Sequence, residues 1–396
     1  MPFDVVILGG FGHVGLPLAI SLASVGKRVC AFDIDARARD VIASGQMPFR
    51  EEGAEPLLQD ALDSGRLVLS LNPSVIADSE IIIIVTGTPV DRHLNPEFEA
   101  LRRMIDGYMS FFRDGQLIIL RSTVYPGTSE RLLYWFRERG KSIDLAFCPE
   151  RIAEGMAIRE LRQLPQIVSS FSERGLRLSY ELFKLFTEDV IILSPIEAEL
   201  AKLFTNVWRY IKFATANQFF MIANDHGADF YRIYHAMTYN YERAKDFPRP
   251  GLTAGPCLFK DAMQLAAFNN NNFYLGHAAM LINEGLPNYI VSKLKERYKL
   301  SELVTGILGM AFKGDSDDKR ESLSYKLKKI LTFESRRVLC SDVYIHDPEF
   351  VLAAELIAQA DVIILGAPHR EYRSLHLPDD KIVVDIWNMW GRGCII

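Results

Sequence analysis

The sequence has few cysteines, no long apolar run and no excess of positive charge. Its five cysteines, in 396 residues, are scattered in a pattern that fits neither a disulfide framework nor a metal site. The longest purely apolar stretches, such as residues 81–85, are far shorter than the ~18 residues that a membrane span needs. The formal net charge of −5 does not provide the excess of positive charge that is typical of nucleic-acid-binding proteins. We therefore expect no metal, no nucleic-acid partner and no membrane attachment.

The N-terminus also lacks the features of a secretory signal. The first residues, MPFDVVILGG, lead directly into a predicted strand, without a basic region, a long apolar segment or a cleavage motif. Together with the scattered cysteines, this favours a reducing cytoplasm. A length of 396 residues suggests two or three domains of roughly 100–200 residues each.

Short apolar runs alternate with helical patterns in the first half of the chain. The predicted strands are residues 5–10, 28–35, 81–89, 116–124, 143–150 and 189–194. Strands that are apolar throughout are buried on both faces, as in a parallel sheet covered by helices. The pattern predicts a doubly wound, Rossmann-like α/β domain over residues 1–194.

A long helix is predicted to follow this domain. Ser194 is suited to cap it, Pro195 fits the first helical position, and Glu197 has the spacing of a capping box. The helical pattern continues to about Asp225 without an internal glycine or proline. Because apolar residues cover most of its circumference, we expect a buried helix, partly in a subunit interface. Further helical segments extend the central helical domain over residues 195–298.

A second α/β pattern closes the chain. Its predicted strands are residues 303–310, 343–348, 361–368 and 381–387. They predict a smaller Rossmann-like domain over residues 299–396. The expected fold class is therefore α/β, with two doubly wound Rossmann-like domains joined by a helical middle region that contains a long central helix.

A glycine-rich loop joins the first strand to the first helix. In the segment 10–15, GFGHVG, Gly10 permits a tight turn, Gly12 lets the backbone approach a pyrophosphate, and Gly15 allows close packing of helix and strand. Asp33 ends the second strand, where a carboxylate accepts hydrogen bonds from the adenosine ribose and disfavours a 2′-phosphate. The pattern favours NAD as cofactor. A glycine turn that serves packing alone is the alternative.

Two neighbouring residues leave the ribose assignment open. Asp35 is a second candidate for the ribose contact, and Arg37 leaves room for NADP.

Polar residues follow two more strands, in the segments 86–89 (TGTP) and 122–127 (STVYPG). Open α/β sheets bind ligands at the carboxyl ends of their strands, although both segments are also suited to ordinary turns.

Three pairs of polar residues have spacings that suggest chemistry. Glu150 and Glu154 follow a strand four residues apart, although a solvated pair of glutamates is the commoner explanation for such spacing. Lys202 and Asn206 share one face of the long, apolar helix, where a buried ammonium requires a partner; a stripe that faces solvent is the alternative. Cys257 follows small residues and a proline, and precedes Asp261 by one helical turn, as expected for a presented nucleophile. A lone cysteine is more commonly a small buried apolar residue.

These motifs, in this order, resemble the UDP-glucose/GDP-mannose dehydrogenase family of nucleotide-sugar 6-dehydrogenases, over essentially the whole chain. The matching segments are the glycine loop with LPLA, GTPV, STV with PGT, CPERIAEG, ELAKLFTN, GPCLFKD, INEGLP, GMAFKGDSDDKRES and APHREY. The resemblance implies a Rossmann-like NAD domain, a helical middle built on a dimerising helix, and a C-terminal domain that helps to bind the nucleotide sugar. The expected partners are therefore this substrate and a second copy of the chain.

The resemblance also implies roles for individual residues. The family's nucleophile falls on Cys257 and its catalytic aspartate on Asp261, and its helix lysine and asparagine match Lys202 and Asn206. The catalytic residues implied are Cys257, Lys202, Asn206, Asp261, Thr123 and Glu150. The implied cofactor contacts are Gly10, Gly12, His13, Val14, Gly15, Asp33, Thr88, Pro89, Thr123, Glu154 and Arg320. The implied substrate contacts are Glu150, Arg151, Ile152, Lys202, Asn206, Gly251 and Lys313.

The chain departs from the family pattern near the cysteine and at its end. The family's glycine pair is Ala254-Gly255 here, and Gly251 is displaced by one residue. The C-terminal part is also short. We expect a UDP-glucose or UDP-N-acetylhexosamine substrate, with Lys260 and Asp261 favouring the glucose type.

The implied reaction is a four-electron oxidation of the sugar C6 alcohol to a carboxylate. It proceeds through a thiohemiacetal and a thioester on Cys257. A two-electron β-hydroxyacid dehydrogenase is one alternative, because it shares a Rossmann domain followed by a long helix. A non-catalytic nucleotide-sugar-binding protein is the other.

Overall fold

The computed structural model describes residues 2–87, 98–253, 255, 257–393 and 396. These residues form two compact units, Met1–Thr205 and Asn206–Ile396. The parallel α/β fold with a long central helix is confirmed. Within the described ranges, no helix is long and apolar enough to cross a membrane.

The first unit is built on a six-stranded sheet whose strand pairs are all parallel. Its strands are β1 (Val5–Leu8), β2 (Val29–Phe32), β3 (Leu67–Ser70), β4 (Ile81–Ile84), β5 (Leu117–Leu120) and β6 (Asp144–Phe147), and β7 (Gln166–Val168) pairs with β8 (Val190–Ile192) separately. Its helices are α1 (Gly15–Ser24), α2 (Ala36–Ala43), α3 (Ala54–Asp63), α4 (Phe98–Tyr108), α5 (Thr128–Glu138), α6 (Ala157–Gln163) and α7 (Glu173–Phe183). The strand order in the sheet is β3-β2-β1-β4-β5-β6, which places the ends of β1 and β4 next to each other.

The strands form because their side chains are apolar on both faces. In β1, Val5 and Ile7 join one hydrophobic core, and Val6 and Leu8 join another on the opposite face. The prediction missed β3, a strand of four residues whose apolar run is only three residues long. It also missed β7, a strand of only three residues.

The long helix α8 runs from Pro195 to Asp225, as predicted, and passes from the first unit into the second. Glu197 accepts hydrogen bonds from the backbone nitrogen and the hydroxyl of Ser194, at 2.8 and 2.6 Å. This is the predicted reach of the capping-box glutamate back to the cap residue.

The second unit combines helices with a smaller parallel sheet. Its helices are α9 (Phe230–Thr238), α10 (Leu258–Phe268), α11 (Tyr274–Arg297), α12 (Leu323–Glu334) and α13 (Ala353–Gln359), and its strands are β9 (Val304–Leu308), β10 (Arg337–Ser341), β11 (Val362–Leu365) and β12 (Ile382–Val384). The strand order is β10-β9-β11-β12. One core contains Phe220 of α8, Leu286 of α11 and Ile307 of β9, so helices and sheet fold together in this unit.

The predicted strand at residues 343–348 was wrong. The strand is β10, Arg337–Ser341, which pairs with β9 over its whole length. The next residue, Asp342, accepts hydrogen bonds from the backbone nitrogens of Tyr344 and Ile345 at 2.8 and 2.9 Å. This Asx-type turn bends the chain away from the sheet and overrides the β propensity of the following residues.

Candidate active site

The glycine loop after β1 has the geometry that a dinucleotide requires. Gly9 has φ +82°, and a Cβ on Gly10 would lie 2.8 Å from Ala31 of β2. A Cβ on Gly15 would lie 2.2 Å from the Gly9 carbonyl, so α1 packs directly against the loop. Around Gly12 the protein leaves space, because the nearest atom to an added Cβ is 3.8 Å away. The open space at this exposed glycine leaves room for a pyrophosphate to approach the backbone.

The carboxylate of Asp33 lies beside this loop. It accepts a hydrogen bond from the backbone nitrogen of Phe11 at 3.2 Å and one from Ile34 at 2.7 Å, and it is partly exposed. Asp35 has a different role, because its side chain caps α2 by accepting from the backbone nitrogens of Arg37 and Ala38. The geometry therefore favours Asp33 as the ribose acid.

The other predicted cofactor residues of the first unit lie along the same edge of the sheet or outside the described residues. His13 stacks on Phe49, with ring centroids 4.1 Å apart, and Val14 packs against the core immediately before α1. Thr123 is partly buried in the loop after β5. Thr88 and Pro89 lie outside the described residues.

A buried glutamate of α8 anchors the loop that contains Thr123. Glu199 accepts hydrogen bonds from the backbone nitrogens of Gly127 and Ser129, at 2.6 and 2.9 Å, and from the Ser129 hydroxyl at 2.6 Å. Burial raises the pKa of Glu199, and these hydrogen bonds offset part of that rise. Glu199 was not among the predicted site residues, although it belongs to the ELAKLFTN segment.

Glu150 forms a buried ion pair with Arg121. The Arg121 guanidinium lies 2.5 Å from Oε2 of Glu150, and neither side chain is more than 8% exposed. The other carboxylate oxygen, Oε1, accepts from the backbone nitrogens of Arg151 and Ile152 at 2.7 and 3.1 Å. Arg121 was not among the predicted site residues, although an arginine directly after the apolar strand β5 is an unusual residue for a core.

The loop that follows Glu150 is held by two further carboxylates. Glu51 accepts from the backbone nitrogens of Gly155 and Ile158 at 3.0 and 3.3 Å, and Glu160 accepts from Ala153 at 2.6 Å. The Arg151 guanidinium donates to the Pro165 carbonyl, and Glu154 is partly buried. Carboxylates therefore accept from the backbone nitrogens of residues 151, 152, 153 and 155, and these contacts hold the loop.

In the second unit, two predicted catalytic residues are in direct contact. Asn206 of α8 donates from Nδ2 to Oδ2 of Asp261 on α10, at 2.6 Å, and both residues are buried. Lys260 lies 4.0 Å from the other oxygen of Asp261. Lys202, one helical turn before Asn206 on α8, belongs to the first unit and is also buried.

Cys257 differs from the other described cysteines. It is exposed and occupies the position immediately before α10, whereas Cys30, Cys148 and Cys340 are buried. Burial raises the pKa of Cys30 to about 12 and the pKa values of Cys148 and Cys340 to about 11. Cys257 is the residue at the N-terminal cap position of α10, and the N-terminal end of a helix is an environment that stabilises negative charge.

Aromatic side chains and a buried amide support the loop before Cys257. A Cβ on Gly251 would lie 2.4 Å from the Trp387 ring, and one on Gly255, at φ +117°, would lie 2.7 Å from Phe312. Asn217 of α8 accepts from the Gly251 nitrogen at 2.8 Å. The displaced Gly251 is therefore required by close packing against Trp387. Ala254 lies outside the described residues.

The two predicted basic contacts lie in the loop between β9 and α12. The Lys313 ammonium lies 5.6 Å from the centre of the Phe312 ring. Arg320 is exposed and pairs with Asp318 through two guanidinium nitrogens, with distances of 2.6 to 3.0 Å. Across the described part of the chain, no cluster of histidine, cysteine and carboxylate side chains is suited to hold a metal.

Comparison with known families gives matches along almost the whole chain. Three domain profiles of the UDP-glucose/GDP-mannose dehydrogenase family match: the NAD binding domain at residues 4–187, the central domain at residues 196–284 and the UDP binding domain at residues 306–392.

Individual relatives agree with these profiles. UDP-N-acetyl-D-mannosamine dehydrogenase from Pyrococcus horikoshii is 30% identical over 98% of this chain and 94% of its own length. The solved structure of that organism's UDP-D-ManNAc dehydrogenase superposes with a TM-score of 0.87 and 28% identity, covering 94% of this chain and 91% of its own. A UDP-glucose dehydrogenase structure from Pyrobaculum islandicum has the same TM-score and 27% identity, covering 97% of this chain and 94% of its own.

Proposed function

Because the chain belongs to the UDP-glucose/GDP-mannose dehydrogenase family and is an NAD-dependent dehydrogenase, we propose that it oxidises the C6 alcohol of a UDP-N-acetylhexosamine to a carboxylate. The observation that carries this proposal is Cys257, an exposed thiol at the start of α10 with the Asn206–Asp261 contact one turn beyond it. We also propose the domain division at residues 1–194, 195–298 and 299–396.

The first unit is proposed to bind the dinucleotide. Gly10, Gly12 and Gly15 shape the loop for the pyrophosphate, and Asp33 accepts from the adenosine ribose. NAD, when bound, supplies the electron acceptor for each of the two oxidations that convert an alcohol to an acid. Thr88, Pro89, Thr123, Glu154 and Arg320 remain proposed cofactor contacts.

The second unit is proposed to supply the nucleophile. The Cys257 thiolate adds to the C6 aldehyde that the first oxidation forms, and the resulting thiohemiacetal is oxidised to a thioester. Hydrolysis of the thioester releases the carboxylate and restores the thiol. This sequence keeps the reactive aldehyde attached to the enzyme, so the product is the acid.

Lys202 and Asn206 are proposed to stabilise the negative oxygen at C6. An amide nitrogen carries two N–H groups, and the contact with Asp261 uses one of them. A preorganised donor of this kind contributes about 3–4 kcal/mol to transition-state stabilisation. Asp261 and Lys202 are further proposed to hold the water that accepts the first proton.

The sugar of the substrate is proposed from the similarity of this chain to its relatives. The Pyrococcus horikoshii relative is a UDP-N-acetyl-D-mannosamine dehydrogenase, which favours a UDP-N-acetylhexosamine over the glucose type expected from Lys260 and Asp261. Glu150, Arg151, Ile152, Gly251 and Lys313 remain proposed substrate contacts. We propose the cytoplasm as the compartment, because the nucleophile must remain a reduced thiol.

A panel of nucleotide sugars with NAD tests the function. UDP-N-acetyl-D-mannosamine, UDP-N-acetylglucosamine, UDP-glucose and GDP-mannose are each incubated with the enzyme, and NADH is measured against the acid formed. We expect about two NADH per molecule of substrate for the four-electron reaction. One NADH per substrate would indicate the two-electron alternative, and none with any sugar would indicate a binding protein.

Variants at the cysteine test the covalent route. Cys257→Ala is expected to lower acid formation by more than about 1,000-fold, because the thiohemiacetal no longer forms. Cys257→Ser is expected to retain a covalent sugar adduct visible by mass spectrometry. Cys340→Ala, which removes a buried thiol, is the matched control and retains activity. Full turnover by Cys257→Ala would remove the covalent mechanism.

We propose a homodimer formed through α8. Phe204, Trp208, Phe219 and Ile222 of this helix are each between 41 and 57% exposed, which leaves an apolar face uncovered in a single chain. Sedimentation of the wild type and of Trp208→Glu tests the proposal. We expect a dimer for the wild type and a smaller species for the variant, and two identical profiles would place the interface elsewhere.

A further inference from the structure

We propose that two buried asparagines of the second unit, Asn217 and Asn283, position the loop before Cys257. The inference rests on the proposed function, because it requires that Cys257 captures an aldehyde formed at C6. Neither asparagine touches the substrate in this proposal, so both are positioning residues. They determine whether the nucleophile is in place when the aldehyde forms.

The two asparagine amides form one chain of hydrogen bonds that starts at this loop. Oδ1 of Asn217 on α8 accepts from the Gly251 nitrogen at 2.8 Å. Nδ2 of Asn217 donates to Oδ1 of Asn283 on α11 at 2.9 Å. Nδ2 of Asn283 in turn donates to the Tyr210 carbonyl at 3.1 Å. The chain therefore connects the loop before Cys257 to two helices of the same unit.

The two ends of this chain fix its direction. The Gly251 nitrogen can only donate and the Tyr210 carbonyl can only accept, so each amide between them has one orientation that satisfies both of its neighbours. A turned amide would bring two donors or two acceptors into contact, which is costly for buried groups. A fully satisfied buried network of this kind specifies one arrangement of the backbone that it holds.

Packing holds the loop at the same residue. A Cβ on Gly251 would lie 2.4 Å from the Trp387 ring, and the next residue, Leu252, belongs to the core of the unit. The Thr253 nitrogen donates to the Gly251 carbonyl at 2.7 Å. The exposed thiol of Cys257 follows this anchored segment in the sequence. The amide chain therefore acts on the anchored end of the segment that presents the nucleophile.

The other end of the chain lies on α8 close to the proposed oxyanion residue. Tyr210 follows Asn206 by one turn of this helix. Asn206 donates to Asp261 of α10, the helix that begins directly after Cys257. The chain thus joins the helix turn of the oxyanion donor to the loop of the nucleophile. Addition of sulfur to a carbonyl requires both groups at the correct distance, and errors of about 1 Å are costly.

The step that depends on this placement is the addition of the Cys257 thiolate to the aldehyde. Sulfur forms a bond to C6, the π bond of the carbonyl breaks, and its electron pair moves to oxygen, which then takes a proton. When the thiol is misplaced, the aldehyde is expected to leave the enzyme before the second oxidation. Such a turnover yields free aldehyde and one NADH.

The test measures how the product divides between acid and free aldehyde. The full-length enzyme is incubated briefly with NAD and UDP-N-acetyl-D-mannosamine, or with the sugar of the panel that the wild type oxidises. The protein is then removed by filtration, and free aldehyde is converted to an oxime and measured by mass spectrometry against the acid. Cys257→Ala is the reference for a missing nucleophile, and we expect aldehyde as its main product.

Variants at the two asparagines are expected to shift this division toward aldehyde. For Asn217→Leu we expect at least about a tenfold rise in aldehyde per NADH relative to wild type. Asn283→Leu breaks the chain at its second link, and we expect a smaller rise of at least about threefold. The double variant is expected to match Asn217→Leu within about twofold, because both residues act in one unit.

Asn224→Leu is the matched control. Asn224 is also a buried asparagine of α8, and it accepts from the Ile396 nitrogen at 2.8 Å and donates to the Tyr289 hydroxyl at 2.9 Å. Its removal leaves the same kinds of buried partners unsatisfied, so we expect a loss of stability similar to that of Asn217→Leu. Because these partners do not belong to the loop before Cys257, the ratio of aldehyde to acid is expected to stay at the wild-type value.

Two outcomes would overturn the inference. One is a folded Asn217→Leu enzyme that releases no more aldehyde than the wild type. The other is an equal rise in Asn224→Leu, which would indicate a general loss of packing. If Asn217→Leu does not fold, Asn283→Leu against Asn224→Leu decides the question by the same two criteria. A wild type that forms one NADH per sugar, or a Cys257→Ala enzyme that forms acid at the wild-type rate, would instead contradict the proposed function.

Discussion

The two sheets of the molecule place an aspartate at the same topological position and use it differently. Asp33 follows β2 and accepts from the loop nitrogen of Phe11. Asp342 follows β10, the equivalent strand of the second sheet, and accepts from the loop nitrogens of Met310 and Ala311 at 2.6 and 3.1 Å. In both units the acid ties the loop after the first strand to the second strand.

The two carboxylates differ in their exposure to solvent and in the number of contacts that each makes within the protein. Asp33 is partly exposed, whereas Asp342 is buried and also contacts Nε2 of His369 at 3.1 Å. Nδ1 of His369 in turn accepts from the Asp315 nitrogen at 2.9 Å. The carboxylate of Asp33 thus has acceptor sites left for ribose hydroxyls, whereas groups of the protein itself occupy the carboxylate of Asp342. The comparison teaches that a Rossmann-like acid indicates a dinucleotide site only where it remains accessible.

The largest expected effect is on stability, from Asp342→Ala. The change leaves His369 and four backbone N–H groups without their buried acceptor. We expect a loss of about 3–5 kcal/mol in the free energy of unfolding, with the KM for NAD unchanged in the folded fraction. Denaturant unfolding and initial-rate kinetics measure the two quantities. A rise in the NAD KM without loss of stability would reverse the proposed assignment of the two acids.

The mirror-image experiment is Asp33→Ala. Loss of a charged acceptor for the ribose is expected to raise the KM for NAD by about 10- to 100-fold, equivalent to roughly 1.5–3 kcal/mol. The free energy of unfolding should change by less than about 1 kcal/mol, because the carboxylate is partly exposed. An unchanged cofactor dependence would show that another residue holds the ribose.

Local sequence signals predicted the features of the fold that depend on neighbouring residues. The glycine loop, Asp33 and the start of α8 at Pro195 follow from turn chemistry and capping within a few residues. The apolar runs likewise predicted β1 and β4. Such signals fail where a side chain redirects the backbone, as Asp342 does beyond β10.

Contacts between distant residues were not accessible to the same reasoning. Arg121 and Glu150 lie 29 positions apart, and Asn206 and Asp261 lie 55 positions apart, so only the tertiary fold brings each pair together. Periodicity placed Asn206 on a helix face but did not identify its partner. The contact between Gly251 and Trp387 also depends on the tertiary fold, because the spacing of residues in the sequence does not indicate which ring packs against a loop.

A pH series provides a further test of the Asp342 environment. Burial acts to raise the pKa of Asp342, but His369 and the nitrogens of Tyr344 and Ile345 outweigh it, and the net shift is downward from 3.8. A lowered pKa in the folded state stabilises the protein above the unfolded pKa, and this contribution is lost as pH falls through the folded value. We therefore expect the unfolding free energy of the wild type to fall more steeply below about pH 4 than that of Asp342→Asn. Parallel curves for the two proteins would contradict this coupling.

The smallest expected effect is from Asp35→Ala, which separates the ribose acid from its neighbour in the sequence. Asp35 caps α2 through the backbone nitrogens of Arg37 and Ala38, at 2.9 and 3.0 Å. Removal of the cap is expected to lower the free energy of unfolding by about 1 kcal/mol and to leave the KM for NAD within about twofold of wild type. Thermal unfolding and NAD titration measure these effects. If the NAD KM rose as much as in Asp33→Ala, both acids would contribute to the ribose site, and accessibility would no longer distinguish the first sheet from the second.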